Sequence, residues 1–257
     1  MKLPFESMYL PHLIKIAVSA GAKIMEIYEG DFGSTLKSDA SPVTAADTAA
    51  EAIIIAGLKQ YFPQIPIIAE EQQAAGATVA IADCFFLVDP LDGTKEFISR
   101  NGEFTVNIGL IKNGEPICGV VYAPAICELY VGELGFGAFK AKTPDLKFSP
   151  IISQPSSGNG PVILASRSHR DAQTEAFIAA QKPTSIINAG SSLKFCRVAE
   201  GVADLYPRFG RTMEWDTAAG HAVLAAAGGT VTKPDGTSFT YGKPGFANGP
   251  FIASGHR

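Results

Sequence analysis

The segment from residue 104 to residue 140 most constrains the fold, because it holds four apolar, strand-like runs with only short breaks between them. The breaks carry turn residues such as Pro124 and Gly135. A parallel pair needs a crossover of about a dozen residues or more, so strands this close in sequence must pair in antiparallel order. We therefore predict an antiparallel meander, preceded by shorter strands at residues 67–69 and 84–88.

Two helices are predicted ahead of this sheet. Apolar residues recur at helical spacing over residues 13–27, and Gly30 ends the pattern. Thr44 and Asp47 have the spacing of a capping box and open a second, Ala-rich helix that we expect to run to about Phe62. Both helices are expected to pack on one face of the antiparallel sheet.

Residues 153–161 are rich in Ser, Gly and Pro and divide the chain into two halves. Beyond them, strand-like and helical runs alternate, as in an α/β layer. The sequence thus predicts a mixed α+β and α/β fold, with an N-terminal half at residues 1–152 and a smaller C-terminal half at residues 162–257. The helices expected in the second half span residues 172–180, 192–200 and 216–227.

Composition excludes several classes of protein. The 257 residues are 46% hydrophobic and carry 21 Lys and Arg against 25 Asp and Glu, a formal net charge of −4. These values rule out a disordered chain and give no basic balance for an extended nucleic-acid-binding surface. The longest apolar runs, such as residues 52–58, fall far short of the ~20 residues that a membrane-spanning helix needs.

The N-terminus and the cysteines indicate a cytoplasmic protein. Pro4 and Glu6 stand where a secretion signal needs an apolar core. The cysteines are widely spaced, which favours buried free thiols in a reducing compartment over a disulfide framework or a zinc site. They are Cys84, Cys118, Cys127 and Cys196.

The strongest chemical signal is the segment 89–94, Asp-Pro-Leu-Asp-Gly-Thr, at the end of a hydrophobic run. Asp89 and Asp92 supply two carboxylates. The backbone N–H groups of Gly93 and Thr94 follow and can bind an anion. Two carboxylates beside an anion-binding turn are what a Mg²⁺–phosphate site requires, since hard cations take oxygen ligands. Taken alone, the segment fits an Asx-type turn with a helix N-cap equally well.

A haloacid-dehalogenase-type phosphatase is an alternative for this segment. Its motif also places Asp-Gly-Thr after a strand, but there the second aspartate lies two residues after the first, whereas Asp92 lies three residues after Asp89. The changed offset points the second side chain elsewhere, so a covalent aspartyl-phosphate mechanism is disfavoured.

Further acidic residues stand at the ends of predicted elements. Glu70 and Glu71 end a strand-like run, either as a solvated pair or as ligands of a cation. Asp216 begins a helix, where an N-cap is the commoner role but leaves lone pairs for a cation. Asp47 belongs to the capping box, and it can in addition hold the hydroxyl of Thr94.

Taken in order and spacing, Glu70-Glu71, the segment 89–94 and the segment 215–220, Trp-Asp-Thr-Ala-Ala-Gly, resemble the motifs of the inositol-monophosphatase superfamily. The resemblance implies a layered αβαβα fold and a Mg²⁺-dependent, lithium-sensitive phosphatase. Longer strings resemble the bacterial 3′(2′),5′-bisphosphate nucleotidase branch, which implies a link to sulfur assimilation and conversion of adenosine 3′,5′-bisphosphate to AMP and phosphate. These strings lie at residues 89–98, 100–107, 190–196 and 205–210, and the resemblance covers nearly the whole chain.

The resemblance also implies which residues bind metal. One ion would be held by Glu70, Asp89 and the carbonyl of Leu91. A second would be held by Asp89, Asp92 and Asp216. The division of the carboxylates between two ions comes from the resemblance alone, whereas the carboxylates themselves are also indicated by their positions at strand and helix ends.

The remaining implied roles concern water and phosphate. Asp47 and Thr94 would activate the attacking water, and Glu71 would lie nearby and serve a third, weaker metal. Gly93 and Thr94 would donate backbone N–H groups to the phosphate. None of these roles requires a covalent intermediate, so the implied chemistry is direct attack by water.

The substrate side of the site rests on fewer residues. Arg208 stands where inositol phosphatases tend to carry an acid that receives sugar hydroxyls, and a cation there suits a second phosphate. Ser191, Ser192 and Lys194 lie in one nucleotidase-like string and are candidate substrate contacts. Lys194 and Arg211 fit either a phosphate or solvent.

The sequence thus predicts a cytoplasmic, Mg²⁺-dependent nucleotidase with two or three ions, a small phosphorylated nucleotide as its partner and no nucleic acid. Arg197 is expected on a solvated helix face. The resemblance is also compatible with peripheral association with the inner membrane. Two alternatives stay open, an inositol or sugar monophosphatase and a non-catalytic binder of phosphorylated nucleotides. The oligomeric state is not predicted.

Overall fold

The computed structural model describes residues 6–30, 34–36, 42–155, 160–167 and 170–255, so residues 156–159 of the Ser-, Gly- and Pro-rich segment lie outside it. The helices within this range are α1 (Leu10–Tyr28), α2 (Ala45–Tyr61), α3 (Glu70–Ala74), α4 (Thr94–Ile98), α5 (Ala172–Ala180), α6 (Leu193–Ala199) and α7 (Trp215–Ala226). The strands are β1 (Ser34–Leu36), β2 (Pro42–Thr44), β3 (Ile67–Ala69), β4 (Cys84–Asp92), β5 (Thr105–Lys112), β6 (Glu115–Ala123), β7 (Glu128–Glu133), β8 (Gly137–Lys142), β9 (Ser149–Ile151), β10 (Val162–Ser166), β11 (Ser185–Ala189), β12 (Leu205–Arg208), β13 (Thr212–Met213), β14 (Thr230–Thr232), β15 (Ala247–Asn248) and β16 (Phe251–Ser254).

The N-terminal sheet has the order β3-β4-β5-β6-β7-β8-β9. From β4 onwards each neighbouring pair is antiparallel, which confirms the predicted meander. β3 pairs parallel to β4, because α3 and the chain after it return to the start of the sheet before β4 begins. β4 is longer than expected, since it continues through the acidic segment to Asp92.

Helices α1 and α2 pack together on one face of this sheet, as predicted. The buried face of α1 includes Leu13, Ala17 and Ile24, which recur at the spacing of one helical face. Gly21 lies where α1 crosses β6, and a Cβ there would overlap the ring of Tyr122. The small residue therefore allows helix and sheet to approach closely.

The C-terminal sheet has the order β11-β10-β12-β16-β14. β10 is parallel to both β11 and β12, and β16 is antiparallel to β12 and β14. The alternation of strands with α5 and α6 confirms the expected α/β character. The pairing of β14 with β16 was not predicted, because it joins segments about 20 residues apart whose own pattern is short.

Helix α7 lies against the N-terminal sheet and contributes to a core shared with the C-terminal half. Glycines on the facing strands make room for it. A Cβ at Gly109 would lie 2.8 Å from the Cβ of Ala218, and one at Gly132 would lie 2.6 Å from the Cα of Val223. The result is a layered fold of helices and sheets, in which α7 brings its first turn to the edge where β4 ends.

Two expectations about single residues were wrong. The thiols are not all buried: Cys118 and Cys196 are buried as expected, but Cys84 is half-buried and Cys127, which follows a 3₁₀ turn at the surface, is exposed. Arg197 is not on a solvated face, since its guanidinium donates to Glu128, Glu200 and the hydroxyl of Tyr130. These bonds tie α6 to the N-terminal sheet.

No helix in the described part of the chain is long and apolar enough to span a membrane.

Candidate active site

The parallel pairing of β3 with β4 places two acidic residues side by side. Ala69 is in register with Val88, so Glu70 and Asp89 are the next residues along the two strands. Glu70 also begins α3, and the N-terminus of that short helix is fixed by a buried carboxylate. Glu51 of α2 accepts a hydrogen bond from the backbone N–H of Glu71 at 2.8 Å.

The end of β4 has an irregular backbone that presents several groups at once. The register with β5 shifts between Asp89 and Asp92, and Asp89 Oδ1 accepts the backbone N–H of Leu91 at 3.0 Å. Gly93 then adopts φ 92°, a left-handed conformation that favours glycine. Helix α4 begins at the next residue, Thr94. The local chain therefore exposes the backbone of the turn beside two carboxylates.

Helix α7 contributes Asp216 to the site. Asp216 is not the N-cap of the helix, which is the commoner role of an aspartate at this position. The N-cap position belongs to Glu214, and Asp216 Oδ2 accepts the backbone N–H of Met213 at 2.8 Å. Glu214 is fully buried and accepts the backbone N–H groups of Gly242 and Lys243, with the Lys243 ammonium 2.7 Å away. The start of α7 is therefore held rigidly, with one Asp216 oxygen left for a ligand.

Glu70, Asp89 and Asp216 form a cluster in which one oxygen from each lies within 4.8 Å of the others. Burial, and then the charges of Asp92 and Glu70, hold the pKa of Asp216 well above its usual range. Burial raises the pKa of Asp92 to about 6. Asp89 is buried, and Glu70 and Asp216 are half-buried. Such a concentration of acidic groups and hard oxygen donors fits a divalent cation, which would offset the repulsion.

The Asp47 carboxylate links a helix cap to the site. Its Oδ2 accepts the backbone N–H and the hydroxyl of Thr44, at 2.8 and 2.7 Å, and so completes the predicted capping box. Its Oδ1 accepts the hydroxyl of Thr94 at 3.2 Å. The Thr94 hydroxyl also lies 3.4 Å from the carbonyl oxygen of Leu91.

Glu70, Asp92, Thr94 and Asp216 open onto a cavity of about 410 Å³ between the two halves of the molecule, whereas Asp47 and Asp89 are buried behind its wall. Burial lowers the pKa of Lys194 to about 8, and its ammonium donates to the carbonyl oxygens of Ala189 and Ser191. Arg208 and Arg211 line the same space, so the cavity has an acidic side and a basic side. The expected site residues that line it are Glu70, Asp92, Gly93, Thr94, Ser191, Lys194, Arg208 and Asp216.

Ser192 was expected to contact substrate, and its position argues otherwise. It is buried and does not line the cavity, and its hydroxyl donates to the backbone carbonyl of Asp216 at 2.7 Å. Glu71 is not part of the carboxylate cluster. Its backbone instead bonds to Glu51.

Several residues of the site were not predicted from the sequence. Glu96, Ser166 and Tyr206 line the cavity, and Glu51 anchors the helix that carries Glu70. A signal existed for Glu51, because it lies four residues after Asp47 on the same face of a predicted helix. Ser166 and Tyr206 come from strands of the second half, and their placement depends on long-range pairing.

A family model for the inositol monophosphatase family matches residues 7–255, and the chain belongs to that family, whose members are metal-dependent. A protein of Shigella flexneri named 3′(2′),5′-bisphosphate nucleotidase CysQ is 46% identical over 234 residues, which cover 90% of this chain and 93% of the relative. The crystal structure of CysQ from Bacteroides thetaiotaomicron matches with a TM-score of 0.82 and 39% identity, covering 96% of both chains. Inositol monophosphatase from Anabaena (Nostoc) sp. PCC 7120 matches with a TM-score of 0.76 and 28% identity, covering 96% of this chain and 90% of the other.

Proposed function

We propose that the protein is a Mg²⁺-dependent phosphomonoesterase that converts adenosine 3′,5′-bisphosphate to AMP and phosphate. The proposal rests on one observation: a carboxylate cluster, in which Asp89 is buried and Glu70 and Asp216 are half-buried, adjoins a cavity that is also lined by the cationic side chains of Lys194, Arg208 and Arg211. A bisphosphate needs both features, since one phosphate is attacked and the other must be held. The Shigella flexneri relative is named as a 3′(2′),5′-bisphosphate nucleotidase, which supports this choice of substrate.

The metal ligands in this proposal are oxygen atoms only, a donor set that suits Mg²⁺. Glu70, Asp89 and the Leu91 carbonyl would hold one ion. Asp92 and Asp216 would share Asp89 with a second, and Glu71 would serve a third. When bound, the ions lower the pKa of water and offset the negative charge at the phosphate and the leaving oxygen.

Proton handling falls to Thr94 and Asp47. Because the capping box occupies Asp47 Oδ2, the carboxylate cannot rotate freely, and its Oδ1 stays directed at the Thr94 hydroxyl. The Thr94 hydroxyl donates a hydrogen bond to Asp47, so its oxygen lone pairs face the attacking water. As the water gives up a proton to the Thr94 oxygen, the Thr94 proton passes to the Asp47 carboxylate. A protein that only bound nucleotides would not need this pair.

Substrate selection depends on the basic side of the cavity, across from the turn that would bind the phosphate under attack. The backbone N–H groups of Gly93 and Thr94 would bind the phosphate under attack, and the guanidinium of Arg208 would pair with the second phosphate. Lys194 and Ser191 lie next to that position in the same cavity. An inositol monophosphatase remains the second candidate, because a solved enzyme of that name shares the fold. Its monophosphate substrate has no second phosphate with which Arg208 could pair.

A panel of substrates tests the choice. Phosphate release should be measured with Mg²⁺ for adenosine 3′,5′-bisphosphate, its 5′-phosphosulfate analogue, inositol 1-phosphate and fructose 1,6-bisphosphate. We expect kcat/KM for adenosine 3′,5′-bisphosphate to exceed that for inositol 1-phosphate. The reverse order would favour the inositol monophosphatase alternative.

A further inference from the structure

Asn107 is a fully buried polar residue next to the acidic cluster. It lies on β5 and is directly opposite Asp89 in the antiparallel register. Gly109 shares its face of the strand, and that face packs against α7, because a Cβ at Gly109 would lie 2.8 Å from the Cβ of Ala218. The side chain of Asn107 therefore points between the two halves of the molecule.

The amide nitrogen of Asn107 has two partners at the site. Nδ2 donates to Asp92 Oδ2 at 3.3 Å and to Ser192 Oγ at 3.0 Å. The Ser192 hydroxyl in turn donates to the backbone carbonyl of Asp216 at 2.7 Å. The result is a continuous bridge from the carboxylate of Asp92, in the first half of the chain, to the backbone of Asp216 in the second.

The chemistry of its partners fixes which way round the Asn107 amide sits. An ionised carboxylate only accepts hydrogen bonds, and the one proton of the Ser192 hydroxyl is shared between the carbonyl oxygen of Asp216 and the carboxylate of Asp92, so both positions require a donor from Asn107. Asn107 Oδ1 then faces away and has no hydrogen-bond partner among the residues that the structure describes. An unpaired buried acceptor lowers stability, so an amide kept for stability alone would be expected to satisfy both of its ends.

We propose, on the basis of the metal-dependent function above, that Asn107 is a positioning residue. It holds the carboxylate of Asp92 beside that of Asp216, so that both carboxylates face one cation. The charges of Asp92 and Asp216 repel each other across the site. A neutral amide can restrain Asp92 without adding a positive charge that would repel the ion. Partners of this kind typically change metal affinity about 10- to 100-fold.

Isothermal titration of Mg²⁺ and Mn²⁺ into the metal-stripped protein tests the proposal without substrate. We expect Asn107→Leu to weaken binding at least tenfold. Thr105→Val is the matched control, because Thr105 is buried on the same face of β5, opposite Asp92, and its hydroxyl has no partner within the described residues. That variant should bind as the wild type does. If Asn107→Leu does not fold, Asn107→Ser fits the same space and carries the same expectation.

A second comparison asks whether Asn107 acts through Asp92. In an Asp92→Asn background, adding Asn107→Leu should change metal affinity less than twofold, because the residue it positions has lost its charge. Wild-type affinity in Asn107→Leu, equal weakening in Thr105→Val, or a full loss that persists in the Asp92→Asn background would each overturn the proposal. A wild-type protein that binds metal but does not hydrolyse the bisphosphate would refute the nucleotidase function and leave this test intact. One that binds neither ion would overturn both.

Discussion

At the scale of single residues, Asp47 shows how one carboxylate serves the fold and the site together. One oxygen closes the capping box at the start of α2, and the other accepts the hydroxyl of Thr94. Since the cap fixes the carboxylate, the hydroxyl of Thr94 is aimed by the fold itself. Glu51 has a similar double role, because its carboxylate accepts the backbone N–H of Glu71 in the first turn of α3 and so orients Glu70.

Thr94→Ala should lower kcat by roughly two to four orders of magnitude, the usual range for loss of a positioned proton-transfer partner. Metal affinity should change little, because the proposed role of the hydroxyl is toward water. Steady-state kinetics at saturating Mg²⁺, with calorimetric titration of the metal, separates the two effects. Thr94→Ser keeps the hydroxyl and should keep most of the rate. If metal binding collapses together with the rate, the proposed role is wrong.

Arg208→Glu should reduce kcat/KM for adenosine 3′,5′-bisphosphate more than tenfold. A charge-assisted bond from Arg to phosphate contributes about 1.5–3 kcal/mol, and about 1.4 kcal/mol corresponds to a factor of ten. Inositol 1-phosphate has no second phosphate, so its rate should hold. Arg208 Nε also donates to the carbonyl oxygen of Gly210 at 3.3 Å, so the competing explanation is that Arg208 only stabilises this turn. If the ratio of the two kcat/KM values in Arg208→Glu equals that of the wild type, Arg208 only stabilises the turn and plays no part in substrate choice.

At the scale of elements, α7 joins the site to the core. Its first turn carries Asp216, and its middle carries His221, whose Nδ1 lies 3.0 Å from the hydroxyl of Tyr241. Burial lowers the pKa of His221 to about 3. The ring is therefore neutral in the folded protein at any pH where the enzyme would be assayed.

This predicts an acid-sensitive component of stability. The unfolded chain takes up a proton at His221 as pH falls through about 6.5, and the folded protein does not, so the folded state loses stability as pH falls. Between pH 7 and pH 5 the loss from one such histidine is about 2 kcal/mol. Urea unfolding at the two pH values should show a change on acidification that is about 2 kcal/mol more unfavourable for wild type and for His12→Gln than for His221→Gln. The comparison between proteins is needed because the raised pKa values of Asp92 and Asp216 act in the opposite direction in all three. Equal changes in all three proteins would show that His221 is not responsible.

At the scale of the whole molecule, the sequence predicted what depends on local patterns. The capping box at Thr44 and Asp47, the antiparallel meander and the acidic segment 89–94 are all readable within a few residues. The position of Ser192 could not be predicted from local patterns, because its partners Asn107 and Asp216 come from elements that are distant in sequence.

The prediction for Arg197 was wrong for the same reason, because its partners are distant in sequence. Its spacing on α6 is that of a surface residue, and only the packing of α6 against β7 brings Glu128 and Tyr130 to it. Periodicity indicates which face of an element is buried, whereas the identity of the residues across an interface depends on how the layers stack. The role of Asn107 was not predicted for the same reason, since its sequence position indicates only that it belongs to a buried strand.

Product analysis of wild type beside Asp89→Asn tests most directly whether the carboxylate cluster makes this protein a metal-dependent nucleotidase. Adenosine 3′,5′-bisphosphate should be incubated with each protein, with Mg²⁺ and after chelation by EDTA, and the nucleotides separated. We expect wild type with Mg²⁺ to yield AMP and one phosphate per substrate, and no turnover in EDTA or in a folded Asp89→Asn. Turnover in EDTA, activity of Asp89→Asn within a few-fold of wild type, or adenosine 3′-phosphate as the product would contradict the account.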